Sequence, residues 1–148
     1  MPRETKPKRI ALYVTEQQLR YILSALENDF RLRMGQTYID LIDDLAFQNV
    51  SPDLEDGKFS KTLFDECLWR RDAARQKLQE FMDIVFDRNW LRTQKTEQTQ
   101  EKIDMWCAIR HWMWEQRDPD KRGDGVDSYP PMQFGQQPLP DLEWEERH

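Results

Sequence analysis

The sequence predicts a mainly α-helical protein, and three observations support this fold class. Apolar residues recur every three or four positions along three long stretches of the chain. Only five glycines occur in 148 residues, which disfavours a protein built from many short strands. Charged residues make up 34% of the chain, which suits helices with large solvated faces. We expect three long helices in a bundle, a short N-terminal strand and an extended proline-rich C-terminal segment.

The first helix is predicted from a capping pattern and a long apolar stripe. Residues 1–8 form a basic arm that we expect to be disordered, and residues 9–14 (RIALYV) predict a short strand. Thr15 and Gln18 fit a capping box, which predicts a helix over residues 15–47. The stripe of this helix contains Leu19, Leu23, Leu26, Phe30, Met34, Leu41 and Leu45.

Two further helices follow after loops. Residues 48–59 contain Pro52 and Gly57 and predict a loop. The second helix is expected from residue 60 or 62 to residue 86, and the third over residues 97–116, with a connection at 89–96. The second stripe contains Phe64, Cys67, Leu68, Ala74, Leu78, Phe81, Met82 and Val85, and the third contains Ile103, Trp106, Cys107, Met113 and Trp114.

Residues 118–148 differ in composition from the helical domain, which we place at residues 9–117. Prolines and glycines recur and exclude a long helix, yet the segment keeps large apolar residues that a pure linker lacks. We expect an extended tail that packs on the domain or on a second subunit, and that could add a strand beside residues 9–14. Its apolar residues are Tyr129, Met132, Phe134, Leu139, Leu142 and Trp144.

Charge and composition exclude several functional classes. The net charge of −6 disfavours direct nucleic-acid binding. No apolar run is long enough for a membrane span and no signal peptide is visible, so we expect a cytoplasmic protein. Cys67 and Cys107 fall on helical stripes and are expected to be reduced, buried thiols. The number of tryptophans, six, favours a homo-oligomer that covers some of them.

Three arginines lie at or near the apolar stripes, and each needs a partner because an unpaired buried charge is costly. Arg71 and Arg110 are central to their stripes, and Arg33 lies nearer an edge. Glu27 and Asp44 could pair with such arginines inside the fold. Alternatively, the guanidinium groups bind a phosphate-bearing ligand beside aromatic rings, or they form a protein–protein surface. These three interpretations remain open at the level of sequence.

Catalytic chemistry is not expected. The chain has no HExxH or CxxC metal motif and no phosphate-binding glycine loop, so we predict no enzyme, metal or cofactor. His111 has no obvious nucleophile beside it. Helical pyrophosphohydrolases hold magnesium with helical carboxylates, and the candidates here are Asp40, Asp43 and Asp44 with Glu80 and Asp83. Asp43, Glu80 and Asp83 point away from the apolar stripes, so we interpret them as solvated faces.

One stretch of the first helix resembles a known family. Residues 27–36 (ENDFRLRMGQ) are similar to the Glu-x3-Arg-x2-Met-Gly-Gln motif of a small helical family, of unassigned activity, in tailed-phage genomes. The family pattern also includes an Arg-His pair in a later helix, matched by Arg110 and His111, and a closing proline-containing segment. The resemblance covers most of the chain and implies a phage origin. The position of Arg33 departs from it, because that residue is usually small or apolar.

Two functional hypotheses follow. The first is a non-catalytic binding protein that sequesters a nucleotide-like anion, such as a cyclic nucleotide or an ADP-ribose derivative used as a host immune signal. The alternative is an acidic inhibitor that binds a host defence or nucleic-acid enzyme directly. Either would act in the cytoplasm of an infected bacterium, and a structural assembly role is a third possibility. The predicted ligand-binding residues are Arg31, Gly35, Gln36, Arg71, Arg110, His111 and Trp114.

Overall fold

The computed structural model describes residues 6–48, 61–86 and 95–146. Over these residues the protein is mainly helical, which confirms the predicted fold class, and no strand is present in them. The predicted three-helix bundle stays a prediction. The elements are α1 (Glu16–Arg33), α2 (Asp40–Phe47), α3 (Lys61–Val85), α4 (Glu97–Glu115) and a short 3-10 turn (Val126–Ser128).

The chain divides into two compact units. Residues 1–27 and 96–148 form one, here called the terminal unit, and residues 28–95 form the other, here called the central unit. The division falls within α1, after Glu27.

The start of α1 has the capping box that the sequence predicts. The backbone N–H of Gln18 donates to Oγ1 of Thr15 at 3.1 Å, and the backbone N–H of Thr15 donates to Oε1 of Gln18 at 2.9 Å. Two N–H groups at the helix end are thereby satisfied by side chains. The capping box therefore fixes the point at which the N-terminal segment becomes helix.

The predicted end of the first helix is wrong. We expected one helix over residues 15–47, but α1 ends at Arg33 and α2 begins at Asp40. Gly35 has a φ of +72°, in the left-handed region that glycine adopts at low cost. The apolar stripe continues across the break because both helices have apolar residues at suitable spacing. Periodicity alone could not reveal the interruption.

The predicted strand at residues 9–14 is not confirmed. The structure gives these residues no regular secondary structure, and their backbone groups bond to no other backbone group in the described ranges. The tail does not supply a strand there either, and Pro138 and Pro140 remove two N–H donors that a ladder would use. The predicted second and third helices agree with α3 and α4 to within about two residues. Most of the predicted connections at 48–59 and 89–96 lie outside the described residues.

Each unit has a small apolar core. In the central unit α2 packs on α3, where the rings of Phe47 and Phe64 are 5.4 Å apart. In the terminal unit α4 packs on the 3-10 turn. The buried apolar residues are Leu19, Ala108 and Ile109 in the terminal unit and Phe30, Ile39, Cys67 and Met82 in the central unit. Among the described helices, none has the length and apolar character needed to span a membrane.

Candidate functional site

The Met-Gly-Gln motif forms the turn that ends α1. The backbone N–H of Gly35 donates to the carbonyl oxygen of Leu32, and that of Gln36 donates to the carbonyl oxygen of Arg31, both at 2.9 Å. This pair of bonds is a Schellman motif, with Gly35 at its left-handed position. The side chains add a third bond, because Nη1 of Arg31 donates to Oε1 of Gln36 at 2.8 Å. Three of the predicted ligand residues therefore contact one another in a helix-ending turn.

Arg71 shares a carboxylate with a second arginine that the sequence analysis did not select. Nη2 of Arg75 donates to Oδ1 of Asp43 at 2.8 Å, and Nε of Arg71 lies 3.9 Å from the same oxygen. Arg71 also contacts the exposed carboxylate of Asp72 at 3.2 Å. Because Arg75 follows Arg71 by one helical turn, both guanidinium groups lie on the face of α3 that meets α2. In the sequence, Arg75 could have been found from its position four residues after Arg71, which places it on the same face of the helix.

The Arg75 side chain is largely buried and lies over an aromatic ring. Only 16% of it is exposed, and its guanidinium carbon lies 4.6 Å from the ring centre of Tyr38. Its Nε is buried without a hydrogen-bond acceptor in the described residues. A buried N–H without an acceptor is uncommon and costs free energy. Among the described residues of the central unit, Arg75 is therefore a charged group with unused hydrogen-bonding capacity.

Arg110 has an internal counter-charge. Its Nε and Nη2 contact the two carboxylate oxygens of Asp127 at 2.9 and 3.0 Å, which is the bidentate geometry of a strong pair. The guanidinium carbon also lies 4.3 Å from the ring centre of Trp106. Asp127 belongs to the 3-10 turn, so this pair attaches the C-terminal segment to α4.

His111 and Trp114 contact the same part of the chain. Nδ1 of His111 donates to the carbonyl oxygen of Asp127 at 2.8 Å, since a carbonyl can only accept. Nε1 of Trp114 donates to the carbonyl oxygen of Gly123 at 2.8 Å. The guanidinium carbon of Arg122 lies 4.0 Å from the Trp114 ring centre, and the His111 ring is nearly parallel to it. These predicted ligand residues hold the segment after α4 in place.

Asp104 is a buried carboxylate that sequence reasoning missed. Its side chain is 3% exposed, and one oxygen accepts the backbone N–H groups of Phe134 and Gly135 at 2.9 and 2.7 Å. The other oxygen accepts Nε2 of Gln100 at 2.9 Å. A carboxylate with three donors satisfies the rule that buried charges need partners. In the sequence, Asp104 could have been found from Ala108, an apolar residue four positions later that lies on the same face of the helix.

The part of the chain that the structure describes contains no cluster of metal-binding side chains. Within residues 6–48, 61–86 and 95–146, no three His, Cys, Asp or Glu side chains are grouped to hold a metal ion. The Arg71, Arg75, Asp43 and Tyr38 cluster, here called the central arginine cluster, is instead suited to holding an anion. Comparison with protein-family models, curated proteins and solved structures finds no match.

Proposed function

We propose that the chain is a non-catalytic protein that binds and sequesters a phosphate-bearing, nucleotide-like anion at the central arginine cluster. The observation that carries this proposal is the sharing of Asp43 by two guanidinium groups, one of which has a buried, unused N–H. Guanidinium groups match phosphate oxygens in planar, bidentate geometry, so the residue type fits the ligand.

The present partner of Arg71 is weak enough for an anion to compete with it. Asp72 is largely exposed and adjacent in sequence to Arg71, and exposed ion pairs of this kind contribute little free energy. A phosphate could therefore replace Asp72 on Arg71 at small cost. Asp43 would stay bound to Arg75 and would limit the net positive charge of the site, which favours a phosphodiester over a highly charged triphosphate.

Tyr38 would supply the contact for a base. Tyr38 is 78% exposed although one side of its ring is close to the Arg75 guanidinium. An aromatic face beside a phosphate-binding group is a sequence-tolerant platform for stacking, worth about 1–3 kcal/mol per base. The distance of 4.6 Å between Arg75 and Tyr38 suits a ligand in which base and phosphate are close.

The internal contacts of the other predicted residues support this choice of location. Arg110 is bound bidentately by Asp127, so a ligand there would have to displace a strong pair. Arg31 and Gln36 bind each other at the end of α1. Of the three arginines among the predicted ligand-binding residues, Arg31, Arg71 and Arg110, we therefore retain Arg71 and add Arg75. The phage resemblance suggests that the ligand is a host immune signal, such as a cyclic nucleotide or an ADP-ribose derivative.

The test is thermal unfolding against cyclic oligonucleotides, cyclic ADP-ribose isomers and linear nucleotides. A ligand at 100 times its dissociation constant should add about 2.7 kcal/mol to the free energy of unfolding. The double variant Arg71→Ala, Arg75→Ala should lose this response.

Arg70→Ala is a matched control, because Arg70 lies on the same helix but pairs with Glu66 on an exposed face. It should retain the full shift. A panel with no response, or a response that survives the double variant, would overturn the proposal. Tyr38→Phe should bind as the wild type does, whereas Tyr38→Leu should bind several-fold more weakly because the stacking surface is lost.

A second function is favoured by a different segment. Glu143, Glu145 and Glu146 are exposed around Trp144, which is itself 57% exposed although its ring packs on Trp112 and its Nε1 donates to Gln116. An acidic stretch with an aromatic anchor suits contact with a basic protein surface, as in the alternative of an acidic inhibitor of a host enzyme. Such binding should weaken strongly between low and high salt, and a salt-insensitive association would argue against it.

A further inference from the structure

Asp43 and Asp72 both contact Arg71, but they differ in how firmly the structure holds them. Asp43 accepts a hydrogen bond from Nη2 of Arg75 at 2.8 Å, and the Arg75 side chain is only 16% exposed. Removing Asp43 would leave this largely buried guanidinium without its counter-charge, which is costly. The Asp72 side chain, by contrast, is 67% exposed. A ligand that binds Arg71 would therefore displace Asp72 and leave Asp43 in the site.

The charges that stay in the site determine which anion matches it. Once Asp72 is displaced, the central arginine cluster has the positive charges of Arg71 and Arg75 and the negative charge of Asp43. A phosphodiester carries one negative charge and neutralises the remaining positive charge. A terminal phosphate carries about two negative charges at neutral pH, and the second charge would leave water without a counter-charge. The cluster therefore fits a diester better than a terminal phosphate.

We propose that Asp43 is the specificity-determining residue of the central arginine cluster and selects a phosphodiester over a terminal phosphate or a diphosphate. This inference rests on the proposed function and narrows its ligand. A cyclic nucleotide contains only diesters, whereas ADP-ribose and its derivatives contain two adjacent charged phosphates. Of the two ligand classes that the proposed function names, the cyclic nucleotides are therefore the ones that the site selects.

The distance between Asp43 and the ligand position gives the size of the effect. Since Nε of Arg71 is 3.9 Å from Oδ1 of Asp43, a phosphate oxygen bound to this Nε lies within about 7 Å of the carboxylate. Two like unit charges at this separation near a protein surface repel by an energy equivalent to roughly 50-fold in affinity. The Asp43 side chain is 41% exposed, so solvent screening lowers the expected contribution of its charge to about tenfold.

Isothermal titration calorimetry of the full chain with two matched ligand pairs tests this inference. The pairs are cyclic AMP with AMP and cyclic di-AMP with its linear, ring-opened form. Within each pair the base and the number of phosphorus atoms are the same, but only the linear compound has a terminal phosphate. The wild type should bind the cyclic compound of each pair more tightly. Asp43→Asn keeps an acceptor oxygen for Arg75 but loses the charge, so it should shift the ratio of the two dissociation constants about tenfold toward the linear compound.

Asp72→Asn is the matched control, because it removes the same charge from the same arginine at a more exposed position. Since the ligand displaces Asp72, this variant should bind both compounds of a pair more tightly and keep their ratio at the wild-type value. Asp43→Glu retains the negative charge and should keep the preference for the cyclic compound. Thermal unfolding without ligand shows whether Asp43→Asn is folded, and the wild-type preference is a test that does not depend on this variant.

The outcomes distinguish this inference from the proposed function. If no nucleotide binds in the thermal unfolding test, the proposed function is wrong. If nucleotides bind but the wild type does not prefer the cyclic compounds, only the role of Asp43 is overturned. The same conclusion follows if a folded Asp43→Asn leaves the ratio unchanged, or if Asp72→Asn shifts it equally. Because the Tyr38 ring stacks on any base, binding of other ligands but of neither cyclic compound would also overturn the inference.

Discussion

Arg110 in the terminal unit and Arg71 in the central unit occupy similar places on their apolar stripes but have different partners. Arg110 makes two short contacts to a single carboxylate, that of Asp127. Arg71 contacts an exposed neighbour, Asp72, and lies 3.9 Å from Asp43, which Arg75 binds more closely. Arg110 therefore has a carboxylate to itself, whereas Arg71 shares one with Arg75, and under our proposal the ligand completes the partners of Arg71.

The two units also differ in how their contacts are distributed along the chain. In the terminal unit, α4 holds a segment without regular structure through Asp104, Arg110, His111 and Trp114. In the central unit, α2 and α3 meet through ring packing and the central arginine cluster. Replacing the polar residues of α4 should therefore lower the free energy of unfolding more than replacing those of α3.

Among these variants, Asp104→Ala should lower the free energy of unfolding by the largest amount. The substitution removes the charged acceptor of the partly buried backbone N–H groups of Phe134 and Gly135, and a hydrogen bond to a charged group contributes about 1.5–3 kcal/mol. We expect a loss of about 3 kcal/mol in the free energy of unfolding by urea, and faster proteolysis after residue 117. Asp104→Asn keeps one acceptor oxygen and should lose less. Wild-type stability for Asp104→Ala would show that the contact does not hold the segment.

Gly135→Ala should have the next largest effect. A Cβ at this position would lie 2.5 Å from Cγ and 3.4 Å from Cα of Glu101, so the segment or the Glu101 side chain must shift. Overpacking of this kind typically costs about 1–3 kcal/mol. Gly123→Ala is the control, because a Cβ there has no heavy atom within 4 Å. Thermal unfolding of the two variants should separate them clearly, and equal stabilities would contradict the close approach of the segment to α4.

Two double-mutant cycles compare the coupling free energy of the partly buried Arg110–Asp127 pair, considered first, with that of an exposed pair. We expect a coupling free energy of about 1–2 kcal/mol, less than for a fully buried pair because both side chains retain some solvent contact. The same cycle on Arg33 and Asp29, an exposed i,i+4 pair at 2.7 Å, should give about 0.3–0.5 kcal/mol. Equal coupling at the two sites would remove the distinction between Arg110 and a surface arginine.

The sequence predicted the helices well because their signals are local. The Thr15–Gln18 capping box and the apolar spacing of α3 and α4 each involve residues within a few positions of one another. Periodicity could not detect the break at Gly35, since a glycine is compatible with both a helix interior and a helix end.

The partners of charged residues could not be predicted because they are distant in sequence. Asp127 lies 17 positions from Arg110, Asp43 lies 32 from Arg75, and Phe134 lies 30 from Asp104. No helical pattern encodes such separations. The sequence could indicate that stripe arginines need acidic partners or an anion, but the choice between them depends on tertiary structure.

Gly35→Ala should lower the free energy of unfolding by the smallest amount among these variants. It is nevertheless the most informative variant for the role of the Met-Gly-Gln motif. A left-handed conformation costs a residue with a Cβ about 1 kcal/mol, and Gly35 has a φ of +72°. Gly35→Asn should lose less, because asparagine tolerates this region better than alanine. If the motif is only a helix-ending turn, both variants should bind any ligand of the central arginine cluster with unchanged affinity in a titration. Loss of binding with stability intact would instead show that Gly35, Arg31 and Gln36 belong to the ligand site, as the resemblance led us to expect.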